Sequence, residues 1–241
     1  MRNDNFSNYF NYSKDFLSSI LFLTPFVVLY ELLCYFLFNN KDYVIRNSAD
    51  AFIRSNFDII SNNFQFYYPL ILITLIIIYV LYNYEKYDNF HFSLDYYFIM
   101  VIEGFIYSIV LLIIINGFGV FDDDIIYNYN TYLLNFYSSL GAGVWEEVFF
   151  RLFMYNVIYY VANKIFNNKK TAIITAIIIS SLLFSMFHYY GNQADIFFLN
   201  TFIIRFVAGV LLCLIYIKRG LGITCFTHLV YDVLLFSIPL L

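Results

Sequence analysis

Seven long apolar runs constrain this chain more than anything else in it. They lie at about 16–38, 66–83, 96–118, 132–163, 171–189, 195–217 and 221–240. Most are near the ~20 residues a helix needs to cross a bilayer, and inside hydrocarbon a helix satisfies its own backbone polar groups. Of the 241 residues 62% are hydrophobic and only 12% charged, where a soluble domain carries about 25%. The expected fold is an all-α, polytopic transmembrane helical bundle of about seven or eight spans. The uncertainty in count comes from the overlong fourth run, read as a helix to Leu140, a break at Gly141-Ala142-Gly143 and a new helix from Val144.

The first run is too long for a signal-peptide core and has no small-x-small cleavage site after it, so it reads as a retained first span. The stretch 40–65 is mixed polar and aromatic, with Arg46, Asp50, Arg54 and Asp58. It reads as an interfacial amphipathic helix or a loop. Lys164, Lys169 and Lys170 mark one connection as cytoplasmic, and Lys218 with Arg219 mark another. The 119–131 loop, with Asp122, Asp123 and Asp124, reads as external. Seven spans then place the N-terminus inside and the C-terminus outside. Lys41, Arg46 and Arg54 run against that assignment. Cys34, Cys213 and Cys225 sit in apolar runs without CxxC spacing and read as free thiols. The net charge of -4 is too small and scattered to suggest a nucleic-acid partner. The expected partners are the lipid bilayer and a membrane-associated peptide or protein. A compact chain without targeting extensions fits a bacterial plasma membrane.

A charged side chain at bilayer depth costs roughly 2.5–3.5 kcal/mol on insertion scales. Six ionisable groups nevertheless stand in the apolar segments of the last hundred residues. Glu147 and Arg151 are four apart with the acid N-terminal, the favourable order for an ion pair on one helix face. Glu146 points about 100° away from Glu147 and has no cation at good local spacing. It is the candidate general base for water activation. His188 follows Phe184 by four residues near the end of its run. His228 and Asp232, also four apart, share a helix face. The blander readings are a charge-neutralising clamp for Glu147–Arg151, an interfacial residue for His188, and a local hydrogen bond for His228–Asp232. Arg205, Glu31 and Glu103 are also intramembrane charges, read as groups that pair one helix with another.

In this order, Glu146-Glu147-xxx-Arg151, Phe184-xxx-His188 and His228-xxx-Asp232 resemble the CPBP family, the intramembrane proteases related to type II CAAX prenyl endopeptidases and also called Abi proteins. The run from Arg205-Phe206 through Gly209 to Gly220-Leu221 is similar to the family's link between its last two motifs. The resemblance covers about 131–241, which divides the chain into N-terminal membrane helices (1–130) and a catalytic helical core (131–241). It implies a helical bundle around a water-filled cavity and hydrolysis of a peptide bond without a covalent intermediate. Glu146 with His188 would activate the water, His228 and Asp232 would stand where the family stabilises the oxyanion, and Glu147 and Arg151 would position their helix. An ionised Asp232 would repel an oxyanion, so Asp232 is expected to orient His228.

The implied enzyme is a glutamic-type endopeptidase with no cofactor. The alternative cofactor is zinc, held by His188, His228 and one carboxylate, although the chain has no HExxH. A transporter, or a non-catalytic immunity or scaffold protein, is the alternative from another class. One conflict stands out. In seven spans His228 lies roughly 10 Å above the inner face, far below His188 in a core of about 30 Å. The protease reading requires Glu146, His188 and His228 to share one cavity.

Overall fold

The computed structural model describes residues 8–39, 43–58, 64–88, 90–117, 129–191 and 194–237. Among them every regular element is a helix. Lys41 and Asp122 to Asp124, used above for orientation, lie outside the described residues.

Helix α1 (Tyr9–Lys14) and α2 (Phe16–Phe38) are separated by Asp15 alone. Asp15 is extended, and its carboxylate accepts the backbone N–H groups of Leu17 and Ser18. This N-cap starts α2 where the apolar run starts. The mixed stretch forms α3 (Ser48–Asp58), followed by α4 (Phe64–Tyr82), the short α5 (Tyr84–Tyr87) and α6 (Leu94–Asn116).

Helix α7 (Tyr129–Gly141) does not end in the expected break. The chain continues through two π-helical segments, Ala142–Glu146 and Val148–Tyr155, into α8 (Asn156–Phe166). The Gly-Ala-Gly sequence therefore marks a change of pitch, and such π turns are frequent at functional sites. Asn167, in the left-handed region at φ 47°, and the N-cap Asn168 turn the chain into α9 (Lys169–Phe187). Asparagine tolerates that conformation better than most residues. Helix α10 (Leu199–Arg219) meets α11 (Leu221–Ser237) at Gly220. Gly220 has φ +84°, and a Cβ there would lie 2.8 Å from Lys14 Cα. Only glycine meets both conditions.

Helix α11 is the axis of the bundle, packed against α2, α6, α7, α10 and the first π segment. Phe22, Met100, Ile223 and Phe226 fill one side of it. Tyr30, Trp145 and Leu229 fill another, and Leu111, Leu212 and Tyr231 a third. The approach of the π segment is the closest, because a Cβ on Gly143 would fall 2.5 Å from Leu229 Cβ.

Among the described residues four helices are long and apolar enough to cross a membrane: Phe16–Phe38, Leu94–Asn116, Lys169–Phe187 and Leu199–Arg219. Ile71–Tyr82 and Leu221–Phe236 are apolar but shorter. Helix α11, at 17 residues, is about 25 Å long, less than the ~30 Å hydrocarbon core.

Two of the intramembrane charges outside the motifs, Glu31 and Glu103, pair between elements. Glu103 of α6 takes two hydrogen bonds from Arg219 and one from Tyr9. Glu31 of α2 pairs with Arg46 and Arg54. The Arg219 guanidinium is spent on Glu103 inside the bundle, and of Lys218 and Arg219 only Lys218 is exposed. The 40–65 stretch is likewise not a surface element throughout. Asp50 is fully buried and Arg54 nearly so.

Candidate active site

Both halves of the chain contribute to one site, and each polar group can be traced to the element that carries it. The first π segment ends at Glu146, and Glu147 links it to the second. The Gly143 contact places these adjacent carboxylates beside α11. Glu147 is fully buried, and its Oε1 accepts two hydrogen bonds of 2.7 Å, one from Arg151 Nη1 and one from His228 Nδ1. An ionised carboxylate only accepts, so the proton on this bond belongs to His228 Nδ1. Arg151 Nη2 also donates to the Gly209 carbonyl of α10 at 3.3 Å. Arg151 thus joins Glu147 to α10, and Glu147 holds His228 as well.

His228 leaves Nε2 free of that bond. Its neighbour there is Asp232 Oδ2 at 3.6 Å, too long for a hydrogen bond. The expected orientation of His228 by Asp232 is not what the structure contains. Glu147 reaches the ring from another element and makes the short bond, while the i,i+4 pair on α11 stays apart.

His188 is the C-cap of α9. Its Nδ1 lies 2.9 Å from the Phe184 carbonyl. A carbonyl only accepts, so Nδ1 carries the hydrogen and the Nε2 lone pair faces away. Nε2 stands 3.9 Å from Glu146 Oε2. Glu146 Oε2 is buried and takes no hydrogen bond within the protein. Glu146 Oε1 accepts a 2.8 Å hydrogen bond from Asn47 Nδ2. Phe184 is more than a packing marker. Its ring touches His188, His228 and the Arg151 guanidinium, with centroid distances of 5.1, 5.9 and 4.3 Å.

The conflict over depth closes at the consecutive glutamates. Because neighbouring residues point in different directions, Glu146 reaches His188 and Glu147 reaches His228. Glu146, His188, His228 and Asp232 all line one cavity of about 400 Å³, within the size range of small-ligand sites. Leu111 and Ile115 of α6, Leu212 of α10 and Leu235 and Phe236 of α11 form its apolar wall. Arg205 lines it too. One Arg205 nitrogen pairs with Asp195, and buried Nη1 has no hydrogen-bond partner. Sequence reasoning placed Arg205 among the charges that pair one helix with another, and its mid-span position near the motifs was the available signal.

Among the described residues no three His, Cys, Asp or Glu side chains are grouped so that they could hold one metal ion. In both histidines the hydrogen bond is made by Nδ1, to the Phe184 carbonyl in His188 and to Glu147 in His228, and Nε2 is left free of it.

Residues 128–234 match the family model of Rce1-like type II CAAX prenyl endopeptidases. This region is similar to that family. The match spans α7 to most of α11 and includes every motif residue named above. No curated protein matches the chain, and no solved structure does. The family match does not reach α1 to α6, so Asn47 comes from outside it. Asn47 was missed in the sequence because it is one of many asparagines in a mixed stretch. The one legible signal was its place before Ser48-Ala49-Asp50, where it caps α3 by accepting the Ala49 N–H at 2.9 Å.

Proposed function

We propose that the protein is an intramembrane endopeptidase of CAAX-protease type that hydrolyses a peptide bond by water activated between Glu146 and His188. The observation that carries this is the facing pair at 3.9 Å, Glu146 Oε2 and His188 Nε2, in the wall of the cavity. Both are acceptors in the arrangement described, and a polar gap of this length is one that water bridges. A water bonded to both directs its oxygen lone pair away from them, toward a carbonyl carbon in the cavity. As the C–O bond forms, Glu146 Oε2 takes the water proton and the carbonyl becomes an oxyanion. When the C–N bond breaks, that proton passes to the leaving amine, and the products are a carboxylate and an amine. His228, held through Nδ1 by Glu147, presents Nε2 to the cavity and, when protonated, donates to the oxyanion. The apolar wall suits a lipid-bearing or apolar segment of a membrane-associated substrate. No step needs a metal, and we place the protein in a bacterial plasma membrane.

The test uses the full chain in lipid vesicles with internally quenched peptides, with and without an S-farnesyl cysteine. Wild type cleaves at least one, and Glu146→Gln lowers the rate by about 10²–10⁴-fold with the fold intact. Chelator leaves wild-type cleavage unchanged, and a chelator-sensitive activity restored by zinc supports the zinc reading instead. Equal cleavage by wild type and Glu146→Gln overturns the proposal, and absence of cleavage by wild type favours the transport or immunity reading.

A further inference from the structure

The carboxylate proposed as the base has two oxygens in different situations. Oε2 faces His188 and is without a hydrogen bond, while Oε1 is held by Asn47. Asn47 lies 99 residues away in sequence, and two further contacts fix it. Its backbone N–H donates to Tyr30 Oη at 3.1 Å. Its Oδ1 caps α3 at Ala49. Just before it, Tyr137 Oη donates to the Ile45 carbonyl at 2.7 Å, and Arg46 binds Glu31 and Asp50. The stacked rings of Tyr30 and Tyr137, 4.8 Å apart, tie these anchors together. The amide can turn only one way. With Oδ1 used on the Ala49 N–H, the NH₂ group is left for the glutamate.

We infer that Asn47 is a positioning residue for the reaction, one that clamps Glu146 by Oε1 so that Oε2 alone is aimed at His188 and the substrate. This rests on the proposed function of Glu146. The N-terminal half then completes the site by supplying the donor that fixes which carboxylate oxygen reacts. A carboxylate free to rotate would present either oxygen and would lose productive geometry with His188, a kind of misplacement that costs on the order of 10²-fold.

Two substitutions separate this role from helix capping. Ser and Asp both cap helices as well as Asn. Asn47→Ser keeps the cap but is too short to reach Glu146. Asn47→Asp keeps the cap and replaces the donor with a second carboxylate. The full chain in vesicles is assayed with the same quenched farnesyl peptide. Asn47→Ser is expected to lower kcat about 10- to 100-fold with KM nearly unchanged, and Asn47→Asp to lower it further. Asn47→Gln is expected to recover only part of the loss, since its extra methylene shifts the donor. The thermal unfolding midpoint in detergent stays within a few degrees for Ser and Asp. A second readout does not depend on turnover. A hydrophobic carbodiimide adds to protonated carboxyl groups, and a neighbouring negative charge favours the protonated form. Labelling of Glu146 at fixed pH, read by mass spectrometry, should rise several-fold in Asn47→Asp. Unchanged kcat with unchanged labelling overturns the inference and leaves the endopeptidase reading in place. If Glu146→Gln cleaves like wild type, the endopeptidase reading fails, and a changed labelling rate would then show an Asn47–Glu146 coupling without the proposed role.

Discussion

Two clusters of buried charge lie on either side of Asn47, and they are built differently. In the cluster of Glu31, Arg46, Asp50 and Arg54, each carboxylate meets both guanidinium groups. Tyr30 adds a donor to Asp50, and the Arg54 guanidinium lies 4.5 Å over the Tyr68 ring. In the cluster of Glu146, His188, His228 and Asp232, the distances between partners are 3.9 and 3.6 Å, and the groups face a cavity. Cost of burial is similar in kind for both. The first cluster spends its hydrogen-bonding capacity internally and so fixes structure. The second keeps capacity in reserve, as groups that must bond to a changing substrate need to. Glu147 and Arg151 share features of both: they bond each other, but Glu147 Oε2 and Arg151 Nε are buried without a hydrogen-bond partner.

Substitutions that break this contrast should do so in order of size. His188→Ala removes one acceptor from the open cluster. The expected loss is about 10²–10⁴-fold in kcat, read with quenched peptides, and an unfolding midpoint near wild type. Asp50→Leu leaves two guanidinium groups without their buried carboxylate. Breaking such a pair costs about 3–5 kcal/mol, so the prediction is a much lower unfolding midpoint and poor recovery from membranes. Gly143→Ala presses a methyl group on Leu229 and should cost about 1–3 kcal/mol. Its activity should fall as well, because the same contact places Glu146 and Glu147. Asp232→Asn should be the mildest. With Glu147 holding His228, activity is expected to stay within about ten-fold of wild type, or to rise through removal of charge beside the oxyanion. A loss beyond 100-fold would give Asp232 a part in the reaction itself.

Much of this was legible in the chain because the signals were local. Helix α2 runs from Phe16 to Phe38, as its apolar run does, and an aspartate sits at its cap. Spacing of four marked Glu147–Arg151 and Phe184–His188. What stayed hidden was set by distant partners. Glu147 and His228 are 81 residues apart, so the nearer Asp232 looked like the partner of His228. Asn47 reads as a turn residue until Glu146 lies over it. Arg219 looked like a loop charge because Glu103 is 116 residues away.

The π segments carry a consequence for how such a site can change over generations. A wide turn accommodates one residue more than an α turn. Losing a single codon between Val148 and Tyr155 could therefore restore ordinary pitch at little cost to folding. The helix on either side would keep its register, because the extra residue is what the wide turn absorbs. Side chains within the turn would change neighbours, Arg151 among them, and with it the pair that holds Glu147 and, through Glu147, His228. A one-residue deletion in this stretch is therefore a route by which descendants of the chain would become folded but inert.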